Sequence, residues 1–446
     1  MNAPNTSNPP SNLTRRDFLK TTSAAVTSAG VLGALSVERS AHAAGSDTLK
    51  IALVGCGGRG SGAADQALST AGPIKLVAMA DVFKDRLEGS LNELKRKHSD
   101  KIDVPPDRQF LGFDAYKQAI ALADVVILAT PPGFRPMTFE EAVKQNKNIF
   151  CEKPVATDAP GVRRFLAAAE ESKKKNLKVG IGLQRHHDRG YLETMKRIQD
   201  GAIGDIVAMR SYWNGSTPWL KRRVDLEKQY GRKLTEMEYQ MRNWYYFAWI
   251  CGDHIVEQHI HNLDVINWAK SGYPVRAQGM GGCEVRKGLD NGEIFDHHAV
   301  EFEYADGSRN FSFCRHIQNC WNSVSEHVIG TKGTSDISSH IIRGGTPWRF
   351  KRDGVRDAFQ QEHDDLFDAI RNNKPYNEAE YGGKSTMTAI LGRMCTYSGK
   401  MIEWDDALKS DINLFPEKLA WDANPKSMPD ANGLYALAVP GRTICV

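Results

Sequence analysis

Two stretches of this chain carry side chains whose types and spacing could do chemistry. The first is LKIALVGCGGRGSGAA, in which Gly55, Gly57 and Gly60 stand in the pattern G-x-G-x-x-G, with Gly58 and Arg59 between them. The first glycine of such a pattern allows a tight turn. The second lets a pyrophosphate approach the backbone, and the third lets helix pack on strand. The second stretch is CGDHIVEQHIHNLDVINW. As a continuous helix it puts His254, Glu257, His261, Asp264 and Trp268 on one narrow face, at offsets of 0, 3, 7, 10 and 14. Ile255, Val256, Ile260, Leu263 and Ile266 fall on the opposite side. A polar stripe opposite a buried face must look into a solvated cleft or belong to a paired network. Glu257, His259 and His261 also have the donor types of a divalent-metal site. On a helix, however, His259 lies well off the face that Glu257 and His261 share, and no metal is expected.

The elements that must position these groups are legible nearby. Leu49–Val54 is a short apolar run of strand type leading into the glycine turn, and small residues suited to a helix start follow it. A helix N-terminus there faces the phosphates of a ligand. A second strand, IKLVAMAD, ends at Asp81, 21 residues past Gly60. An acidic residue at that place bonds the ribose hydroxyls of a dinucleotide and repels a 2′-phosphate. NAD is therefore favoured over NADP, which Lys84 and Arg86 keep as the alternative. ADVVILAT is continuously apolar, as a buried parallel strand should be, and ends in PPGFRP. KNIFCEKP is the next strand and its exit. Strands alternating with helical stretches make a doubly wound sheet. Loops at the carboxyl ends of its strands line the ligand crevice. The Gly55–Gly60 loop, Asp81, Thr130, Pro131 and Glu152-Lys153-Pro154 should converge there.

With the glycine fingerprint upstream, CEKPVATD followed by VGIGLQRHHD resembles the glucose–fructose oxidoreductase/inositol dehydrogenase (Gfo/Idh/MocA) family, over about residues 48–410. The resemblance implies an α/β protein: an N-terminal Rossmann doubly wound parallel sheet and a C-terminal α/β domain with an open mixed sheet. The boundaries expected are 45–172 for the NAD-binding domain, 173–410 for the substrate and oligomerisation domain, and 411–446 for a C-terminal extension. The resemblance also implies homo-oligomers, dimers or tetramers. It makes Lys153 a catalytic ammonium that orients a sugar hydroxyl and shares its proton, with Glu152 beside it in the cofactor site. The family's D-x-x-x-H-x-x-D matches Glu257-x-x-x-His261-x-x-Asp264. His261 is then the catalytic imidazole, with Glu257 or Asp264 orienting it or acting as a second acid/base. Two departures stand out. The usual Asp is Glu257, one methylene longer, and the usual His after the Thr-Pro strand end is replaced by Phe134 and Arg135.

Aromatic residues crowd the segment before the polar helix: Trp244, Tyr245, Tyr246, Phe247 and Trp249, with Trp213 and Trp219 upstream. Aromatic faces with polar tips suit carbohydrate rings. Trp213, Trp244, Tyr245 and His254 are candidate substrate contacts, joined by Arg185 and His186 after the strand LKVGIGLQ. The charged run between Leu220 and Arg242 reads as a helical insertion. AVEFEYADGSRNFSF reads as a hairpin about an Asp-Gly turn. QEHDDLFDAIRNN and STMTAILGRMCTYSGK read as helices.

Composition excludes other classes. Hydrophobic content of 41% and charged content of 25% are ordinary for a globular protein. A net charge of +4 without basic blocks suggests neither nucleic acid nor a membrane surface as partner. Eight cysteines without a C-x-x-C pair should be mostly free and buried.

The N-terminus carries TRRDFLK, a weakly apolar run, and Ala41-His42-Ala43. Together these read as a twin-arginine signal over residues 1–44, and so as export to the periplasm or beyond. That route carries folded cargo. Free NAD is scarce outside the cytoplasm, so the cofactor should be loaded first, held tightly and regenerated in place. Oxidation of a sugar, cyclitol or glycoside hydroxyl coupled to a second reduction satisfies this. Redox-neutral glycoside cleavage is the alternative. A non-catalytic sugar-binding protein on a dehydrogenase fold is the reading from another class.

Overall fold

The computed structural model describes residues 48–351 and 354–446. The twin-arginine signal expected over residues 1–44 lies outside the described residues. Among these residues no helix is long and apolar enough to cross a membrane.

The first sheet has six parallel strands: β1 (Leu49–Val54), β2 (Ile74–Asp81), β3 (Gln109–Leu111), β4 (Val125–Leu128), β5 (Asn148–Cys151) and β6 (Val179–Ile181). Their order is β3-β2-β1-β4-β5-β6. The reversal beside β1 is the switch point at which such sheets open a ligand crevice. The strand expected within Ala123–Thr130 is β4, whose four residues are all buried, while Asp124 just before it is exposed. Helix α1 (Gly58–Leu68) follows β1 and lays Ala63, Ala64 and Ala67 on the sheet. These small side chains let the helix approach closely.

The second sheet is mixed and has nine strands: β7 (Ile206–Gly215), β8 (Arg276–Gly282), β9 (His297–Glu303), β10 (Arg309–His316), β11 (Ser323–Gly330), β12 (Gly333–Asp336), β13 (Ile341–Gly344), β14 (Trp348–Arg349) and β15 (Ile402–Glu403). Only the β7–β10 ladder is parallel. The Asp306-Gly307 turn joins β9 to β10 as the sequence suggests. In β10 the alternation is strict over most of its length. Asn310, Ser312, Cys314 and His316 point inward, while Phe311 and Phe313 are exposed.

Residues 50–446 hold both sheets in one compact unit. Two helices tie the sheets together. One, α2 (Ala358–Arg371), returns from the second sheet to pack beside α1 and β6. The other, α3 (Ala379–Ser398), packs on β8, and its Thr386 hydroxyl oxygen accepts from the Val155 amide at 3.1 Å. The eight cysteines are all free, and five are buried. The tail from residue 411 forms no regular element and lies on the body. Asp158 accepts from Leu414 N at 2.8 Å, and Phe415 packs edge-on against Phe134 and Trp249.

The polar segment is not one helix. It breaks into His254–Glu257 and Ile260–Lys270. The amide of His259 donates back five residues to His254, at 3.1 Å. This wide turn takes up one extra residue and rotates everything before it relative to everything after it. The single stripe expected from His254 to Trp268 is therefore divided.

Candidate active site

The glycine turn fits a dinucleotide. Gly55 adopts φ +91°, and a Cβ there would lie 2.5 Å from Thr130 N. A Cβ on Gly60 would meet the Gly55 carbonyl at 2.0 Å, so strand and helix touch through bare backbone. Gly57 and Gly58 instead face open space. They begin α1, whose N-terminus has no side-chain cap, so its first amides are free for an anion. Asp81 sits at the end of β2, where it accepts from Cys56 N at 2.6 Å and Phe83 N at 2.8 Å. Gly55, Asp81, Gly112, Phe113, Thr130 and Pro131 line one crevice above these strand ends. Arg59 departs from the expected cofactor contact. Its guanidinium turns to Glu152 and to Glu362 of α2, with a further bond to Gln66. Glu152 is therefore a counter-ion to Arg59 as well as a neighbour of Lys153.

Lys153 and Glu257 meet. The ammonium donates to the Glu257 carbonyl at 2.5 Å and to its carboxylate at 3.3 Å, across 104 residues of chain. Both side chains are about one-tenth exposed. Arg135, buried, donates to the Pro154 carbonyl at 2.6 Å and fixes the strand exit that carries Lys153. His261 is 7% exposed. Its ring stacks on Trp213 at 5.9 Å, and its Nδ1 has no protein partner. Burial first, then the Lys153 cation, hold this imidazole well below its usual pKa, so it is a neutral acceptor at physiological pH. A buried ammonium and a carboxylate are thus in contact, with a neutral imidazole close enough to feel the ammonium's charge. That set can take a proton from a hydroxyl and pass it on.

The remaining predicted residues divide. Tyr245 is buried with its hydroxyl unpartnered, and Glu257 is among the charges that raise its pKa, after burial itself. Trp244 is half-buried beside Tyr245 and Trp219. Asp264, expected near His261, is committed elsewhere. It accepts from Ser385 at 2.7 Å and pairs with His186 Nε2 at 2.8 Å. His186 is sandwiched between Trp268 and Tyr381, at 4.2 and 4.4 Å. Arg185 pairs with the buried Glu326, which also holds Asn262 and Tyr191. Asp264, His186 and Arg185 are thus tied into ion-pair and hydrogen-bond networks between elements, and Arg185 also lines an open pocket with Tyr191 and Phe359. His254 is fully buried and bonded to Asp253, carried away by the wide turn at His259. His259 itself bonds Ser312 at 2.7 Å, so the Glu257–His259–His261 metal set does not form. Arg135 stands at the PPGFRP strand exit and Glu362 at a helix start, but their bonds to Pro154 and Arg59 depend on partners distant in the chain.

Residues 49–181 match the GFO_IDH_MocA model, described as an oxidoreductase family with an NAD-binding Rossmann fold. This part of the chain is similar to that family's NAD-binding Rossmann domain. The same affinity extends further. An inositol 2-dehydrogenase of Cereibacter sphaeroides is 26% identical over 294 residues, covering 65% of this chain and 74% of that one. An inositol 2-dehydrogenase of Agrobacterium fabrum is 33% identical over 177 residues, but the match covers only 38% of this chain and 47% of that one. Several other relatives are likewise spanned over about half their length. Among solved Gfo/Idh/MocA-type folds, the aldose–aldose oxidoreductase of Caulobacter crescentus superposes with a TM-score of 0.62 at 17% identity. The scyllo-inositol dehydrogenase of Lactobacillus casei, solved with NAD(H) and scyllo-inositol, superposes with 0.59 at 21%. Each covers 80% of this chain and 99% of the other. The two-sheet α/β architecture is thus that of the Gfo/Idh/MocA structures, and the chain has the NAD-binding fold of an oxidoreductase.

Proposed function

We propose that this protein is an NAD-dependent dehydrogenase of the Gfo/Idh/MocA family that oxidises a hydroxyl of a sugar, cyclitol or glycoside. The observation that carries this reading is the meeting of Lys153 with Glu257, just before the wide turn that leads to a neutral His261. The bound nicotinamide would supply hydride acceptance, and the Gly55–Gly60 turn, Asp81 and the free first-turn amides of α1 would hold the dinucleotide. The protein's own part is the proton. Lys153, anchored on the Glu257 carbonyl, donates a hydrogen bond to the substrate oxygen and stabilises the negative charge that develops there as its proton leaves to the base. His261 accepts the hydroxyl proton, and Glu257 holds the ammonium in line. Trp213 offers an apolar face beside His261 for the CH side of a ring. The aromatic faces and the inositol dehydrogenase relatives favour a polyhydroxylated ring as substrate.

The cofactor is held tightly and recycled in place, and the chain is exported by the twin-arginine route. The tail supports tight holding: Trp421 rests on Phe113, which lines the dinucleotide crevice, and on Phe83, at 4.8 and 5.4 Å. Homo-oligomers form through the open face of the second sheet, where Phe311, Phe313, Trp321 and Val324 are exposed.

The test is to denature the purified protein, identify the nucleotide it releases, and then add inositols, aldoses and their glycosides to the native protein while following reduced-nicotinamide absorbance. The reading expects NAD to be released and absorbance to rise with at least one such compound. An empty protein that also fails to bind added NAD would refute it.

A further inference from the structure

A second chemical cluster lies behind the active-site wall. Asp253 and His254 stand at the break before the divided helix, and His298 on the inner face of β9 meets them. All three are buried, with exposures of 0, 0 and 2%. One donor atom from each can be chosen so that all lie within 4.8 Å of one another. Nothing in the proton chemistry proposed above uses them.

Proton bookkeeping makes the cluster unusual. His254 Nδ1 lies 2.8 Å from the Asp253 carboxylate, which can only accept, so this nitrogen carries the hydrogen. His254 Nε2 is therefore a bare lone pair, and it has no protein partner. The Thr396 hydroxyl donates to the carbonyls of Arg393 and Gly392, at 3.0 and 3.2 Å. The same hydroxyl lies 2.9 Å from His298 Nδ1 and accepts from it in the tautomer that leaves Nε2 free to ligate. In that tautomer His298 Nε2 is bare as well, and it lies 3.3 Å from Asp253 Oδ2 without hydrogen-bond geometry. Two acceptors then face each other across 3.3 Å in a buried space, and the ring that carries the unpartnered His254 Nε2 lies 4.8 Å from the His298 ring, centroid to centroid. Asp253 is held for this arrangement, at φ +74°. Its Oδ1 accepts from the amide of His254, and its Oδ2 accepts from Phe295 N at 2.9 Å and Tyr397 Oη at 2.7 Å. The His316 ring covers the cluster, stacked on His254 at 4.4 Å, and its Nδ1 is also unpartnered.

We propose that Asp253 Oδ2, His254 Nε2 and His298 Nε2 bind a divalent transition metal of the zinc class. Imidazole nitrogen and carboxylate oxygen bind such an ion at about 2.0–2.2 Å, and tetrahedral angles then separate two donors by about 3.3–3.5 Å. The 3.3 Å between Asp253 Oδ2 and His298 Nε2 fits that edge. The outer partners also fit, because ligating histidines give their other N–H to a carboxylate or another acceptor, as His254 and His298 do here. A proton on both nitrogens of His298 would relieve one facing pair but leave His254 Nε2 bare. The ion relieves both. Being enclosed, it acts by fixing the start of the helix that carries Glu257 to the second sheet, and it is acquired as the chain folds.

The experiment uses the full-length, untagged protein from zinc-supplemented medium, desalted and measured by plasma mass spectrometry. About one zinc per chain is expected, retained through dialysis against EDTA and released on denaturation. Protein grown with cobalt should show the visible bands of a low-coordinate cobalt(II)–imidazole site. His298→Ala and His254→Gln should each lose the metal, while His363→Ala, a buried histidine elsewhere, should keep it. If a variant fails to fold, the wild-type count and cobalt spectrum still decide. Wild-type protein without metal from either medium, or metal content unchanged in both folded variants, overturns the proposal. These readouts involve no turnover, so they stand or fall separately from the dehydrogenase reading.

Discussion

Lys153 places its ammonium 2.5 Å from the backbone carbonyl of Glu257, while the Glu257 carboxylate lies farther off at 3.3 Å. The main chain is thus the closer anchor and the side chain the looser one. This bears on the departure from the family's Asp. The longer side chain does not have to reach the ammonium for the ammonium to be fixed.

Substitutions at the two residues should therefore differ. Lys153→Ala is expected to lower kcat/KM by about 10²–10⁴-fold, the range for a lost acid–base group. Glu257→Gln keeps the carbonyl anchor and should cost clearly less. Glu257→Ala leaves a buried ammonium without a counter-ion and should also destabilise the fold, toward the about 3–5 kcal/mol typical of a broken buried pair. Steady-state kinetics and chemical denaturation of the three variants check this. Equal losses for Lys153→Ala and Glu257→Gln would contradict it.

His261 titrates well below its ordinary value because it is buried and close to Lys153. Its neutral, proton-accepting form therefore persists as pH falls through the usual histidine range near 6.5. The kcat/KM for hydroxyl oxidation should show no His261-dependent acid limb there. A limb near 6.5 in the wild type that vanishes in His261→Gln would count against the assignment.

His187 sits between Asp365 at 2.6 Å and Glu378 at 3.1 Å. Burial opposes its charge, but these carboxylates outweigh that and raise its pKa to about 10. The folded state keeps a proton that the unfolded chain releases near 6.5. This stabilisation is complete below that pH and is lost as pH rises toward 10. The slope reaches at most about 1.4 kcal/mol per pH unit. Melting temperature from pH 6 to 10 should fall more steeply in the wild type than in His187→Gln.

Trp421 joins the C-terminal tail to Phe83 and Phe113 beside the dinucleotide crevice. Each lost aromatic pair is worth about 0.5–1.5 kcal/mol. Trp421→Ala should speed loss of NAD during dialysis about two- to tenfold per pair. Turnover with saturating NAD should remain unchanged. Identical retention in wild type and variant would remove the tail from the account of tight binding.

Short-range patterns determined much of this protein. The glycine spacing, the acidic strand end, the continuously apolar strands and the Asp-Gly hairpin are local, and each appears in the structure where the spacing put it. The nine-strand order was not local, because β7 pairs in parallel with β10 about a hundred residues later. The divided polar helix was hidden for a different reason. A uniform periodicity assumes a uniform turn, and the bond from His259 to His254 breaks it.

From the sequence alone came the Rossmann class, the cofactor crevice and the pairing of Lys153 with the Glu257–His261 segment. Tertiary structure alone decided which polar residues face that pocket. It turned Arg59 toward Glu152 and Glu362, tied Asp264 to His186, and moved His254 to Asp253 and His298. A buried charge or imidazole is settled by the partner that compensates its lost hydration. Here those partners come from distant parts of the chain as well as from next door, so residue type and spacing could propose candidates, while packing assigned them.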